Sequence, residues 1–226
     1  MGALLRAENI SRVLPAEIPA TLVQDVSLEI RAGEFVAITG PSGSGKSSLL
    51  YILGLLDKPT IGNVYVEDRD TAKLDEDEMA ALRLEKLGFV FQSHFLLPEF
   101  TAFENVMMPM RRLGKLPARE IREKAHKLLS DFGLADHARK LPKQMSGGQC
   151  QRVAVARALA NDPSLILADE PTGNLDTSSS AIVQKILHDL AHTHNRAVIV
   201  VTHDTGFSAI ADRRIHIVDG KISALR

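Results

Sequence analysis

Phe35-Val36-Ala37-Ile38-Thr39-Gly40-Pro41-Ser42-Gly43-Ser44-Gly45-Lys46-Ser47-Ser48-Leu49-Leu50-Tyr51-Ile52-Leu53 is the stretch on which the reading of the fold turns. It opens as an unbroken apolar run of strand length and closes as an apolar-periodic segment, which predicts a helix to about Leu56, stopped by Asp57-Lys58-Pro59. Gly40 to Ser48 joins the two as a glycine-rich turn. Glycines let a backbone curl until several N–H groups point at one anion, at the positive end of the following helix. The turn therefore reads as a phosphate cradle.

The spacing Gly40-x4-Gly45-Lys46-Ser47 matches the Walker A pattern. Lys46 can reach the β- and γ-phosphates of a nucleotide, and the Ser47 hydroxyl suits Mg²⁺, a hard cation that prefers oxygen. A second apolar strand, Leu165 to Ala168, runs into Asp169-Glu170. In open α/β sheets ligands bind at the carboxyl ends of the strands, so Asp169 is expected near the loop as a metal residue and Glu170 as the group that polarises an attacking water.

Composition sets the limits around this pair. The chain has 226 residues, 45% hydrophobic and 24% charged, an ordinary globular balance able to bury a sizeable core. Its 27 basic and 28 acidic residues leave a net charge of −1, which argues against a nucleic-acid partner. Apolar runs such as Ala197 to Val201 are strand-sized, far short of the roughly 20 residues of a membrane span. The N-terminus lacks the pattern of a secretory signal, and the single cysteine, Cys150, fits a reducing compartment, so a cytoplasmic location is expected.

Outward from the loop, Leu4 to Ser11 and Val23 to Ile30 read as an antiparallel, half-exposed pair, and Asn63 to Asp68 as a further alternating strand. The acid cluster Asp75 to Glu78 precedes a helical pattern and reads as its cap. Gly88 to Gln92 is a strand ending in a polar residue, Gln92. From about Ser93 to Lys143 the β signal disappears and Ala118 to Phe132 is an amphipathic helix. Helices at Gly148 to Ala160 and Ser178 to Ala191, strands at Leu165 to Ala168 and Ala197 to Thr202, and a strand pair around Asp219-Gly220 follow. The alternation predicts an α/β fold with a mostly parallel sheet, an antiparallel β subdomain and an inserted helical subdomain. The whole chain, 1–226, is expected to form one domain, its core at about 1–92 and 144–226 and its helical part at about 93–143.

Met145-Ser146-Gly147-Gly148-Gln149 opens a helix with a second Gly-containing turn, hence a second anion site. A single nucleotide does not need two such turns from one chain. Here the sequence resembles the ATP-binding-cassette (ABC) ATPases over about Leu4 to Ile222, with the motifs in the family's order. The resemblance implies a P-loop NTPase core and a head-to-tail homodimer that sandwiches two ATP, with Ser146, Gly147, Gly148 and Gln149 of one copy facing the γ-phosphate held by Gly40 to Ser48 of the other. It implies that Gln92 is the Q-loop glutamine near the Mg²⁺ and water site, that Gly173 to Asp176 is the D-loop, and that His203 is the switch histidine. Glu170, His203, Lys46 and Gln92 are then the catalytic candidates, Ser47, Gln92 and Asp169 the metal candidates.

Two positions depart from the family pattern: Met145 stands where Leu is usual, and Val13 and Leu14 stand where many members place an adenine-stacking aromatic ring. Phe91 to Val106 and Ala168 to Asp176 are similar to the lipoprotein-releasing and macrolide-efflux branch, which works with integral membrane permease subunits on the cytoplasmic side and drives them by mechanical transmission. Phe95, Leu96, Leu97 and Phe100 are expected to form the groove for a short helix of that partner. An ATP-gated regulatory module of a membrane complex, such as a cell-division factor without cargo, is the alternative. His188, His192 and His194 read as a solvated helix end and Cys150 as a packed small residue.

Overall fold

The computed structural model describes residues 2–15 and 19–225. Strands β1 (Leu5–Leu14) and β2 (Ala20–Ile30) pair antiparallel, with register shifts that let both run longer than their alternating cores. Strand β3 (Phe35–Thr39) then leads into helix α1 (Lys46–Leu53). This helix stops before the expected Leu56 because Gly54 caps it and Leu55 turns left-handed at φ 58. Strands β4 (Ile61–Val66) and β5 (Arg69–Asp70) complete a four-stranded antiparallel sheet in the order β2-β1-β4-β5.

Helix α2 (Glu76–Lys86) begins at Asp75, whose carboxylate accepts from the Glu78 amide while the Glu78 side chain accepts from the Asp75 amide. The acid cluster is thus a capping box. Strand β6 (Leu87–Phe91) is followed by α3 (Ala102–Leu113) and α4 (Ala118–Asp131). Next come α5 (Gly147–Ala158), β7 (Leu165–Asp169), α6 (Thr177–His192), β8 (Ala197–Val201), α7 (Thr205–Ala209), β9 (Arg213–Val218) and β10 (Lys221–Leu225). The second sheet has the order β10-β9-β3-β8-β7-β6, parallel throughout except for β10 at its edge.

Three cores form, two of them from the two-residue period of the strands. Leu165, Leu167, Ile199 and Ile38 face α1 and the antiparallel sheet. Ile166, Ala168, Val198 and Val200 face α6 and α7 on the other side, so both faces of the parallel sheet are covered and its strands are apolar without alternation. The third core is helical: Val106, Met110, Ile121, Ala125 and Leu129 pack with Val153, Ala156 and Ala160. The helical layer therefore reaches past the 93–143 block through α5. Cys150 is buried within it, and burial pushes its thiol pKa up.

The histidines of α6 are not simply solvated. His188 and His192 stack at 4.2 Å, and His192 Nε2 lies 3.1 Å from Asp212, whose other carboxylate oxygen accepts from the Phe35 amide at 2.8 Å. Helix α6 is thereby fastened to the starts of β3 and β9. No helix among the described residues is long and apolar enough to cross a membrane.

Candidate active site

Strand register brings the motifs to one edge. Ile38 pairs with Val201, Val201 with Asp169, and Asp169 with Phe91, forming a single row across β3, β8, β7 and β6. The next residues of each strand, Thr39-Gly40, Thr202-His203, Glu170 and Gln92, leave the sheet together at its carboxyl end, where an open parallel sheet binds ligands.

The phosphate loop is held by backbone packing on both flanks. Gly40, Gly43 and Gly45 have φ of 146, 76 and 96, and a Cβ at Gly40 or Gly45 would collide with the Ile217 or Leu22 carbonyl oxygen. The turn after β9 completes the grip: the Gly220 amide donates to the Ser44 carbonyl at 2.9 Å, and the Gly220 carbonyl accepts from the Gln24 amide at 2.8 Å. Lys46 Nζ donates to the carbonyls of Gly40 and Pro41 at 3.0 and 2.7 Å, which folds the ammonium over the loop. The Ser44 hydroxyl is buried with no hydrogen-bond partner among the described residues. Val13 pairs in register with Thr21 on β2, the strand whose Leu22 carbonyl closes on Gly45.

Ser47 Oγ donates to Asp169 Oδ1 at 3.0 Å, and the Tyr51 hydroxyl donates to Asp169 Oδ2 at 2.9 Å. Both donors sit on α1 at i and i+4, one helix face, so Tyr51 was legible from spacing although the motif does not include it. The oxygen pair of Ser47 and Asp169 has the chemistry of a hard divalent cation site.

Glu170 sits in the left-handed region at φ 46, with its amide bonded to the Val201 carbonyl at 2.9 Å. That conformation costs a non-glycine residue about 1–2 kcal/mol and turns the side chain off the strand axis toward His203, whose Nδ1 lies 2.9 Å from Glu170 Oε2. The carboxylate is largely shielded and the imidazole largely exposed. Gln92, just after β6, donates its amide nitrogen to Asn174 Oδ1 at 3.1 Å, on the Gly173-Asp176 turn, while Asn174 Nδ2 donates to the Gln92 carbonyl at 3.4 Å. Asp176 caps α6, and the Ser178 hydroxyl and Ser179 amide hold its pKa well below the usual carboxylate range.

The second turn is a helix N-terminus. Ser146 is the N-cap of α5, its hydroxyl accepting from the Gln149 amide at 3.3 Å while Gln149 Oε1 accepts from the Ser146 amide at 2.9 Å. A Cβ at Gly148 would collide with the Ser179 hydroxyl of α6. Helix α5 packs on α3, α4, α6 and β6, whereas α1 packs on β2, β7 and β8, so the two turns are built on different neighbours.

A separate cleft of about 430 Å³ lies between α2, β6, α3 and the end of α5, with Leu56, Phe89, Phe91, Met108, Pro109 and Arg112 on its walls. The expected groove residues are not its main lining. Phe95, 62% exposed, touches it edge-on through Phe91 at 5.2 Å between ring centroids. Leu96 turns into the helical core, and Leu97 is held by Asn105, whose Oδ1 accepts its amide at 2.8 Å. Phe89 and Phe91 line the cleft because they share one face of the edge strand β6 and stack at 5.9 Å.

Burial, followed by the Asp169 carboxylate, pushes the Tyr51 pKa up from 10.0 to about 12. The folded value lies above the ordinary one, so the stabilisation is full below about pH 10 and is lost as pH rises through about 12. Phenolate absorbance, compared between the native chain and Tyr51→Phe, is expected to differ only at the top of the titration; a difference appearing below pH 10 contradicts the Tyr51–Asp169 bond.

The sequence profile described as "ABC transporter" matches residues 23–173. The chain is 50% identical over 224 residues to the lipoprotein-releasing system ATP-binding protein LolD 1 of Chlorobium chlorochromatii, covering 98% of this chain and 91% of that protein. It is 48% identical over 221 residues to the macrolide export ATP-binding/permease protein MacB of Agrobacterium fabrum, covering 97% of this chain but 34% of that protein. Among solved structures it matches the dimeric ATP-binding cassette MJ0796 bound to ADP and Pi, with a TM-score of 0.91 and 41% identity over 98% of this chain and 97% of that one. With its phosphate loop, the Ser146–Gln149 signature turn and the strand-end carboxylates in that order on that fold, the chain belongs to the ABC transporter family and is an ABC-type ATPase.

Proposed function

We propose that this ATPase works as a head-to-tail pair in which each of two ATP molecules lies between Gly40–Ser48 of one copy and Ser146–Gln149 of the other. The observation that carries this reading is the presence of two glycine-containing turns, each opening a helix, built on different elements of one chain. The likeness to a cassette that is dimeric with ADP and Pi supports it.

In this reading Lys46 and the amides of Gly43, Gly45 and Ser47 hold the β- and γ-phosphates, with Ser42, Ser44 and Ser48 completing the loop and Val13 bordering the base. Ser47 and Asp169, already within hydrogen-bond reach of each other, would hold Mg²⁺, which would supply charge neutralisation at the phosphates. A water oxygen attacks the γ-phosphorus, the bond to the β–γ bridging oxygen breaks, and Glu170 accepts the water proton. His203 fixes the Glu170 carboxylate through the 2.9 Å contact, and Gln92, tied to Asn174, links the reaction edge to the turn that crosses toward the second copy.

The cleft beside β6 receives a cytoplasmic segment of an integral membrane permease, in a lipoprotein-release or hydrophobic-compound export machine of the kind the relatives are named for. Its apolar floor and the exposed Phe95 suit an amphipathic helix lying in a groove. The chain is then peripheral on the inner face of the membrane, held there by that partner.

Glu170→Gln is expected to keep ATP binding and lose about 10²–10⁴-fold in turnover; near-normal hydrolysis by the purified variant contradicts the assignment. Phe95→Glu is expected to leave hydrolysis by the isolated chain intact while removing co-purification with detergent-solubilised permease. Unchanged co-purification contradicts the groove.

A further inference from the structure

The segment that follows β6 is bound to α5 along its length. The Phe91 carbonyl accepts from Gln151 Nε2 at 3.2 Å, a side chain with no solvent exposure. The His94 and Phe95 carbonyls both accept from the Arg157 guanidinium, the first at 2.8 Å. His94 and Phe95 are consecutive residues in the left-handed region, at φ 52 and 47, a conformation this bracket holds in place. At the far end, His94 Nε2 lies 2.9 Å from the carbonyl oxygen of Gly147 and donates to it.

That last contact acts on the signature turn itself. The Ser146 hydroxyl accepts the Gln149 amide and the Ser146 carbonyl accepts the Cys150 amide at 2.9 Å, which leaves the amides of exposed Gly147 and buried Gly148 as the donors at the start of α5 without a partner among the described residues. The Gly147 carbonyl and the Gly148 N–H belong to one planar trans peptide and point in opposite directions. Helix α5 already uses this carbonyl for its i+4 bond, so His94 is a second donor that steadies the aim of the peptide and polarises it, which strengthens the N–H as a donor.

We infer that His94 is a positioning residue for the composite ATP site: by donating to the Gly147 carbonyl it aims the Gly148 N–H at the partner's phosphate and ties that aim to the Phe91–Phe95 segment. The inference rests on the two-copy reading above. It also supplies a physical path from the cleft bordered by Phe95 to the signature turn, since one short segment carries both contacts.

The test uses the full chain in a Glu170→Gln background, where ATP holds the dimer without turnover. Dimer formation is followed by light scattering against ATP concentration, nucleotide binding is measured on dilute monomer, and thermal unfolding is recorded for each variant. His94→Ala is expected to raise the ATP needed for half-dimerisation about tenfold, the effect of one lost hydrogen bond to a charged site. Monomer binding and the unfolding temperature stay unchanged. His94→Gln, which keeps an N–H donor at similar reach, is expected to restore dimerisation. Equal ATP dependence for His94→Ala and the His94 chain overturns the inference, as does failure of His94→Gln to rescue, or a matching loss in monomer binding. If the Glu170→Gln chain itself stays monomeric in ATP, the two-copy reading falls, and the role of His94 falls with it.

Discussion

Ser47 and Asp169 stand 122 positions apart, and the 3.0 Å hydrogen bond between them forms only if the phosphate loop and the end of β7 reach the same edge of one sheet. The order β3-β8-β7-β6 brings them there, since Ile38, Val201, Asp169 and Phe91 fall in one row. Every other part of the reaction edge is positioned from that row. A one-residue slip of β7 would turn Asp169 to the other face of the sheet and remove the acceptor of both Ser47 and Tyr51.

Around this contact the chain accepts conformations that cost energy. Glu170 holds a left-handed backbone, and Gly40 and Gly45 occupy space that no side chain could share with the Ile217 and Leu22 carbonyls. Burial on both faces of the parallel sheet stabilises these arrangements. The antiparallel sheet also serves the site: β2 supplies the Leu22 carbonyl, and its Gln24 amide anchors the Gly220 turn that grips Ser44. The helical layer carries the second turn on α5, whose inner face joins the same core as α3 and α4.

What could be read from sequence was what contiguous residues encode. The strand, turn and helix around Gly40, the carboxylates ending β7 and the cap at Ser146 each declare themselves within a few positions, and the parallel sheet followed from the alternation of strands and helices. Helix α3 was hidden by Pro109 inside it, although Thr101 and Glu104 form a capping box that marks its start. Contacts between distant segments were not legible. The cleft lining comes from several elements brought together only by packing, so an exposed apolar run after Gln92 was a poor guide to it. Gln92 itself shows the limit most clearly, because its partner, Asn174, is 82 positions away.

The central claim is that one chain holds half of each catalytic site. Mass and bound-nucleotide stoichiometry in saturating ATP, measured on Glu170→Gln and on Glu170→Gln with Ser146→Arg, test it directly. The account predicts that the first doubles from 24.7 kDa with one ATP per chain, while the second stays at 24.7 kDa and still binds one ATP. A Glu170→Gln chain that remains a monomer with ATP bound, or a double variant that pairs equally well, would contradict it.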